Sequence, residues 1–167
     1  MKLLHLRAME PEDLELLYKV ENDASIWDMG PTTMPYSRDV LRQYILSTTS
    51  DIFIDKQVRL IIEADGGVTI GIADINSFDA KHMRAEVGIV ILPEYRNMGY
   101  ATQAIQHLAD YSLNTIHLHQ LYAIVPCSNS ASKKVFEKCG FYGTMELKDW
   151  LFDGKKYKNA LLLQKIL

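Results

Sequence analysis

Only two cysteines, Cys127 and Cys139, occur in 167 residues, and they do not form a Cys-x-x-Cys pair. A disulfide framework, a zinc ribbon and a dithiol redox motif are all without support, and two thiols in a reducing compartment are expected. No apolar run approaches the ~20 residues of a membrane-spanning helix. The first residues, Met1-Lys2-Leu3-Leu4-His5-Leu6-Arg7, are broken by His5 and Arg7 and lack a signal-peptide core. The expectation is a cytoplasmic protein with no membrane partner. An excess of one charge is also missing, since 18 basic against 21 acidic residues leave a net charge of −3. That balance argues against nucleic-acid binding by bulk electrostatics, and the scattered Tyr and Trp residues form no stacking platform. His117-Leu118-His119 has no third ligand at useful spacing, so no metal site is expected. Without linkers, low-complexity tracts or internal repeats, residues 1–167 read as one domain, long enough to bury a sizeable core.

What is present is a succession of strand and helix signals. Residues 3–9 read as a strand. Pro11-Glu12-Asp13 then opens a helix whose apolar face is Leu14, Leu17 and Tyr18, with Pro and the acids suited to its first turn. Residues 22–35 are irregular. Ser37 caps a second helix with Val40, Leu41, Tyr44 and Ile45 on its apolar face. Strands follow at 58–64 and 68–75 around the Asp65-Gly66-Gly67 turn, and a third at 84–92. A helix carrying Ala101, Ala104, Ile105 and Leu108 on one face comes next, then a strand at 120–125. A helix at 129–139 is stopped by Gly140. Strands at 148–152 and 157–165 close the chain around Asp153-Gly154. The order β-α-α-β-β-β-α-β-α-β-β implies an α/β fold: a mixed sheet with helices on both faces, and parallel pairing only around the two late crossovers.

The most informative stretch is EVGIVILPEYRNMGYAT, residues 86–102. An apolar strand ends at Pro93, a turn of small and polar residues follows, and a helix opens at once. Such a turn aims unpaired backbone N–H groups and the positive end of the helix dipole at one point, which attracts phosphate. The three-glycine dinucleotide fingerprint and the Gly-Lys-Ser/Thr P-loop are both absent. The motif Arg96-x-x-Gly99-x-Ala101 instead resembles the pyrophosphate signature of acetyl-CoA-binding acetyltransferases.

Over almost its whole length the chain resembles the GNAT N-acetyltransferases. It looks most like the branch holding ribosomal-protein N-terminal acetyltransferases and spermidine/diamine N-acetyltransferases. Four segments carry the likeness: Arg84-Ala85-Glu86 through Ala101; Asn129-Ser130-Ala131-Ser132 through Gly140-Phe141; Asn22-Asp23-Ala24-Ser25; and Phe152-Asp153-Gly154 through Ala160. The resemblance implies a GNAT fold and acetyl-CoA as acetyl donor. Backbone groups of Ile89 and Ile91, with Val90 between them, would pair with the pantetheine arm in a slot where the strand at 84–92 diverges from that at 120–125. The N–H groups of Arg96, Asn97, Met98, Gly99, Tyr100, Ala101 and Thr102 would cradle the pyrophosphate. Asn129 would touch the pantetheine, act as a helix N-cap, or both. Ser132 and Phe136 would line the thioester end.

Acetylating an amine poses two proton problems. A primary amine of pKa ~10 is mostly ammonium at pH 7, a handicap of ~3 units or ~4 kcal/mol. Glu86, sharing a strand face with Gly88, is the candidate base, directly or through water; the rival reading is a surface glutamate paired with Arg84. The departing thiolate is protonated in many family members by a Tyr one turn into the last helix. Phe136 stands at that position here and can donate nothing. Tyr142, Tyr122 or solvent could substitute, because a thiol of pKa ~8.5 leaves tolerably well unaided. The substitution also leaves room for a catalytically weak or inactive acetyl-CoA-binding sensor module.

The resemblance implies as acceptor a small-molecule amine, polyamine or amino-acid-like, or a protein N-terminus. Seven acids between Glu10 and Asp28, against Lys19 alone, would favour a cationic amine, although Glu12, Asp13 and Glu15 suit a helix start equally well. The spermidine enzymes carry an adjacent glutamate pair in the loop that here reads Gly30-Pro31-Thr32-Thr33-Met34-Pro35, which counts against a polyamine and against regulation by one. Trp27, Met29, Met34 and Tyr36 are residues for an apolar acceptor pocket or for the core. The exposed end of the closing hairpin offers an edge for pairing in a homo-oligomer.

Overall fold

The structure is a computed structural model and describes residues 4–27 and 34–167. Among these, seven strands form one mixed sheet: β1 (Leu4–Ala8), β2 (Val58–Ala64), β3 (Val68–Asp79), β4 (Arg84–Ile91), β5 (Gln120–Pro126), β6 (Tyr142–Phe152) and β7 (Tyr157–Ile166). They lie in the order β1-β2-β3-β4-β5-β7-β6. The main helices are α1 (Leu14–Glu21), α3 (Arg38–Ser47), α5 (Tyr100–Tyr111) and α6 (Ser130–Lys138), in the sequence-derived order. Two four-residue helices, α2 (Ala24–Trp27) and α4 (Ile52–Asp55), were not expected. They are too short to display a helical period. Their makers are local: the Asp23 carboxylate accepts from the Ser25 amide at 2.9 Å, and the Asp51 carboxylate from the Phe53 amide at 2.8 Å.

One expectation is corrected. Parallel neighbours were expected at both late crossovers, but only β4 and β5 pair in parallel. After α6, β6 is laid at the sheet edge and β7 returns between it and β5, antiparallel to both. The tight Asp153-Gly154 turn forces β7 antiparallel to β6, so β6 must leave one strand's width open beside β5. β6 also starts at Tyr142 rather than Lys148, and β3 runs on to Asp79.

Alternation along the strands sends neighbours to opposite faces. Ile61 and Ile62 are both fully buried, yet they belong to different cores. On one face α1 and α3 bring Leu17, Val20, Leu41 and Ile45 against Ile61 and Ile72. On the other, α5 and α6 bring Ala104, Ile105, Leu108 and Phe136 near Ile75, Ala85, Val87 and Leu121. Each fully buried Leu or Ile contributes about 1.5–3 kcal/mol by leaving water. Among the described residues Asp13 is the buried charged one, 5% exposed. Its carboxylate accepts both Arg7 terminal nitrogens at 2.8 Å and the Glu10 amide at 2.8 Å. That bonding settles Asp13 as a structural acid tying β1 to the entry of α1. The Asn22 side chain clamps the Tyr36 backbone from both sides (2.8 and 3.0 Å), closing the base of the loop between α1 and α3.

Candidate active site

β4 and β5 pair only at Arg84–Gln120, Ala85–Leu121 and Glu86–Tyr122. Beyond Glu86 the strands part. β5 continues against β7, and β4 continues against β3, whose partners reach Ile91. Residues 87–91 thus have no strand partner on the β5 side. The fork opens into a cleft of about 690 Å³ that runs under α1 and α3 and reaches Asn129, Ser132 and Phe136 on α6. A strand edge facing a cleft can take an extended polar chain as an added strand.

The far end of β4 leads through a 3₁₀ turn (Pro93–Tyr95) into α5. Asn97 and Gly99 both take left-handed backbone conformations, φ 62° and 83°. Gly99 is the N-cap of α5, whose first turn carries no acid. A Cβ at Gly99 would meet nothing within 4 Å. Glycine is needed here for its dihedrals, and the space in front of it stays open to a ligand. Arg96 does not extend away from the turn. Its Nε donates to the Ile91 carbonyl at 2.9 Å, bracing the turn against the strand end.

The opposite end of the cleft is built from side chains. Arg59 on β2 donates bidentately to Asp74 on β3 (2.8 and 3.1 Å) and to Glu21 on α1 at 2.5 Å. Burial alone would lower the Arg59 pKa, and the two carboxylates outweigh it, holding the guanidinium firmly charged. Tyr44 of α3 lies over this group, 5.7 Å from ring centroid to guanidinium, and its hydroxyl accepts from Gln57 at 3.0 Å. Glu86 stands between the two ends. Burial pushes its carboxyl above the ordinary carboxylate range, and a hydrogen bond from Ser77 draws it partly back. Among the described residues, the charged ones lining the cleft are thus three carboxylates and one guanidinium.

Of the residues singled out from sequence, Glu86, Ile89, Val90, Asn129, Ser132 and Phe136 line this cleft. Arg84 is not the partner of Glu86; it bonds Asp79 at 3.2 Å. Asn129 caps α6, accepting from the Ser132 amide at 3.0 Å, so the N-cap reading holds whatever else this residue does. Phe136 is 3% exposed and meets Phe141 edge-to-face with centroids 5.0 Å apart. Tyr142 is not brought to the cleft: it starts β6, 51% exposed, opposite Gln164. Tyr122 sits at the apex of the fork, paired with Glu86. Tyr36 and Val40 line the cleft, whereas Met34 is 67% exposed; Met29 and the Trp27 side chain lie outside the described residues. Glu15 pairs with Arg38 at the surface, and Asp23 serves α2. Among the described residues no cluster of His, Cys, Asp or Glu could hold a metal, and no helix is long and apolar enough to cross a membrane. Arg59, Asp74 and Ser77 escaped the sequence reading. The available signal was a charge among apolar neighbours, Arg59 at the start of VRLIIEA and Asp74 inside VTIGIADIN.

A forked parallel pair, a left-handed turn and a helix N-terminus form one continuous path. A family model of the acetyltransferase (GNAT) domain matches residues 4–142. The chain belongs to the GNAT acetyltransferase family. Spermidine N(1)-acetyltransferase of Escherichia coli K12 is 33% identical over 158 residues, covering 93% of this chain and 82% of that protein. The crystal structure of spermidine N-acetyltransferase from Vibrio cholerae in complex with CoA and spermine superposes with a TM-score of 0.86 at 26% identity, over 98% of this chain and 95% of that one. A dodecameric structure of the Vibrio cholerae enzyme in an intermediate state gives a TM-score of 0.82 at 25% identity, over 98% and 93%. The donor of this GNAT acetyltransferase is acetyl-CoA, and the fork and turn fit it: an unpaired strand edge for an amide-bearing arm, and an acid-free helix start for a diphosphate.

Proposed function

We propose that this chain transfers the acetyl group of acetyl-CoA to a primary amine of a polyamine. The observation that carries the reading is the two-ended cleft, with bare backbone at the β4 edge and, over its whole length, three described carboxylates against one guanidinium. An excess of negative charge in a partly desolvated cleft favours a cationic acceptor. The relatives named for spermidine, one crystallised with CoA and spermine, support that class.

Acetyl-CoA, when bound, supplies an acyl group activated as a thioester. Residues 87–91 would orient the pantetheine arm, and amides of residues 96–102 would hold the diphosphate. Glu86 would take the proton that keeps the amine from attacking, a handicap of ~4 kcal/mol at pH 7. Its raised pKa makes it a better proton acceptor than an ordinary glutamate. Phe136 offers an apolar wall and no proton, so the thiolate would depart without an acid from α6. Ser132 would pack beside the same end of the arm.

Thiol release from acetyl-CoA, screened over polyamines, amino-acid-like amines and peptides with free N-termini, tests the reading. The expected result is turnover highest with a polyamine. A rise in melting temperature with acetyl-CoA but no thiol release from any amine would instead support a sensor module, the reading that Phe136 favours. Self-association belongs to the same proposal. β6 is an edge strand that exposes Met145, Trp150 and Phe152 at 60%, 54% and 54%, and a relative forms a dodecamer. Light scattering should find more than one copy per particle.

A further inference from the structure

Asn76 and Ser77 are consecutive residues of β3, yet both line the cleft. Regular alternation forbids this. The pairing of β3 with β4 slips between Asn76 and Asp79, and Ser77 takes φ 52°, a left-handed conformation rare for a residue with a side chain. A bulge of this kind re-aims one side chain at a cost in backbone strain, and such strain gathers at functional sites. Here it turns the Ser77 hydroxyl onto the carboxylate of Glu86, the residue directly opposite Asn76. The same hydroxyl meets that of Tyr122, at the last pair before β4 and β5 separate. A serine hydroxyl has one proton, so donating it to Glu86 leaves its lone pairs for the Tyr122 O–H.

We infer that Ser77 is a positioning residue for acetyl transfer, its bulged hydroxyl bridging Glu86 and Tyr122 at the apex of the fork. The inference rests on the cleft being an amine-acetylation site with Glu86 as base. Ser77 fixes the carboxylate toward the mouth of the fork. Ser77 is also exposed, so it gives the proton a way out. The proton passes from the acceptor ammonium to Glu86; the Ser77 hydroxyl then turns, accepts from the protonated carboxyl and gives its own proton to water. Burial raises the Glu86 carboxyl, and the Ser77 bond opposes that rise. Tyr122 is pushed upward by burial and by the charge of Glu86. The other titratable or charged groups around this spot are Arg84 with its partner Asp79, the Arg59–Asp74–Glu21 group, and Tyr44 from α3.

The test compares the wild type with Ser77→Ala, Ser77→Gly and Tyr122→Phe across pH, using two acceptors. One is an alkylamine, an ammonium ion at the assay pH; the other is an alkoxyamine of similar size, which arrives neutral. Glycine accepts the left-handed backbone without strain, so Ser77→Gly separates the hydroxyl from the bulge. Both serine variants should lose about tenfold in kcat/KM for the alkylamine, the equivalent of one hydrogen bond to a charged group. The acid limb of kcat/KM should move to higher pH, because a carboxylate without its donor is harder to ionise. The loss should largely vanish with the alkoxyamine, and KM for acetyl-CoA should stay put. Wild-type behaviour of Ser77→Gly, or an unmoved acid limb in both serine variants of an active enzyme, would overturn this inference and leave the proposed function standing. A wild-type protein inactive toward every amine would overturn the functional reading and this inference with it.

Discussion

The two ends of the cleft are made of different material. The donor end is backbone: a strand edge left bare by the fork, a left-handed turn and a helix start, all within residues 86–102. The acceptor end is side chains: Glu21, Arg59 and Asp74 from three elements far apart in the chain, with Glu86 at the junction of the two ends. A site made of backbone needs particular dihedrals at adjacent residues, so it leaves a compact motif. A site made of side chains needs only that folding bring them together, and it leaves isolated polar residues in apolar segments.

That contrast can be attacked by substitution, because each end should fail in its own kinetic constant. The largest effect is expected at the junction. Glu86→Gln should lower kcat by ~10²–10⁴, the range for losing a general base. The wild-type acid limb should lie above the ordinary carboxylate range, since burial raises the Glu86 pKa and the active ionised form is lost as pH falls through it. That limb should disappear in the glutamine variant. The linked effect on stability has the opposite sense. A group whose folded pKa is raised stabilises the fold at low pH and loses that contribution as pH climbs through the folded value, so Glu86→Gln should flatten this trend in urea titrations.

Arg59→Ala should come next. It removes the guanidinium that the partly buried Asp74 and Glu21 carboxylates both bond, at a cost of about 3–5 kcal/mol in folding stability, read from urea midpoints. Acetyl-CoA affinity should hold under conditions where the variant remains folded, while acceptor KM rises. Gly99→Val should do the reverse. A β-branched residue at φ 83° is strained by roughly 1–2 kcal/mol, so acetyl-CoA binding should weaken about tenfold with acceptor KM unchanged. A variant of either end that moved both constants equally would break the division.

The smallest effect is expected at Phe136→Tyr. A hydroxyl placed at the thioester end should hold or slightly raise turnover with a good amine. Complete loss of activity would make Phe136 a packing residue for Phe141 and displace the thioester from this end of the cleft.

The same contrast explains what could be read from the chain alone. The strand and helix order followed from periodicity, and the Arg96-x-x-Gly99-x-Ala101 turn from spacing, because both are local. Asn97 joining Gly99 in the left-handed region was not foreseeable, since asparagine tolerates that region without demanding it. Arg96 looked free to reach a phosphate; its bond to the Ile91 carbonyl depends on how the turn folds back. Tyr142 was carried into the site by proximity in sequence to α6, but β6 begins there and points it outward. The single parallel pair, rather than two, reflects β7 slipping between β5 and β6, a long-range outcome with no local signature. Ser77 was invisible because a bulge, not a motif, aims it.

A crystal structure of the protein grown with CoA would test the central claim most directly. The expected result is a diphosphate held by the amides of residues 96–102, with the pantetheine arm lying between β4 and β5 and its sulfur near Glu86 and Phe136. CoA seated on another face, or those amides turned away from the diphosphate, would contradict it.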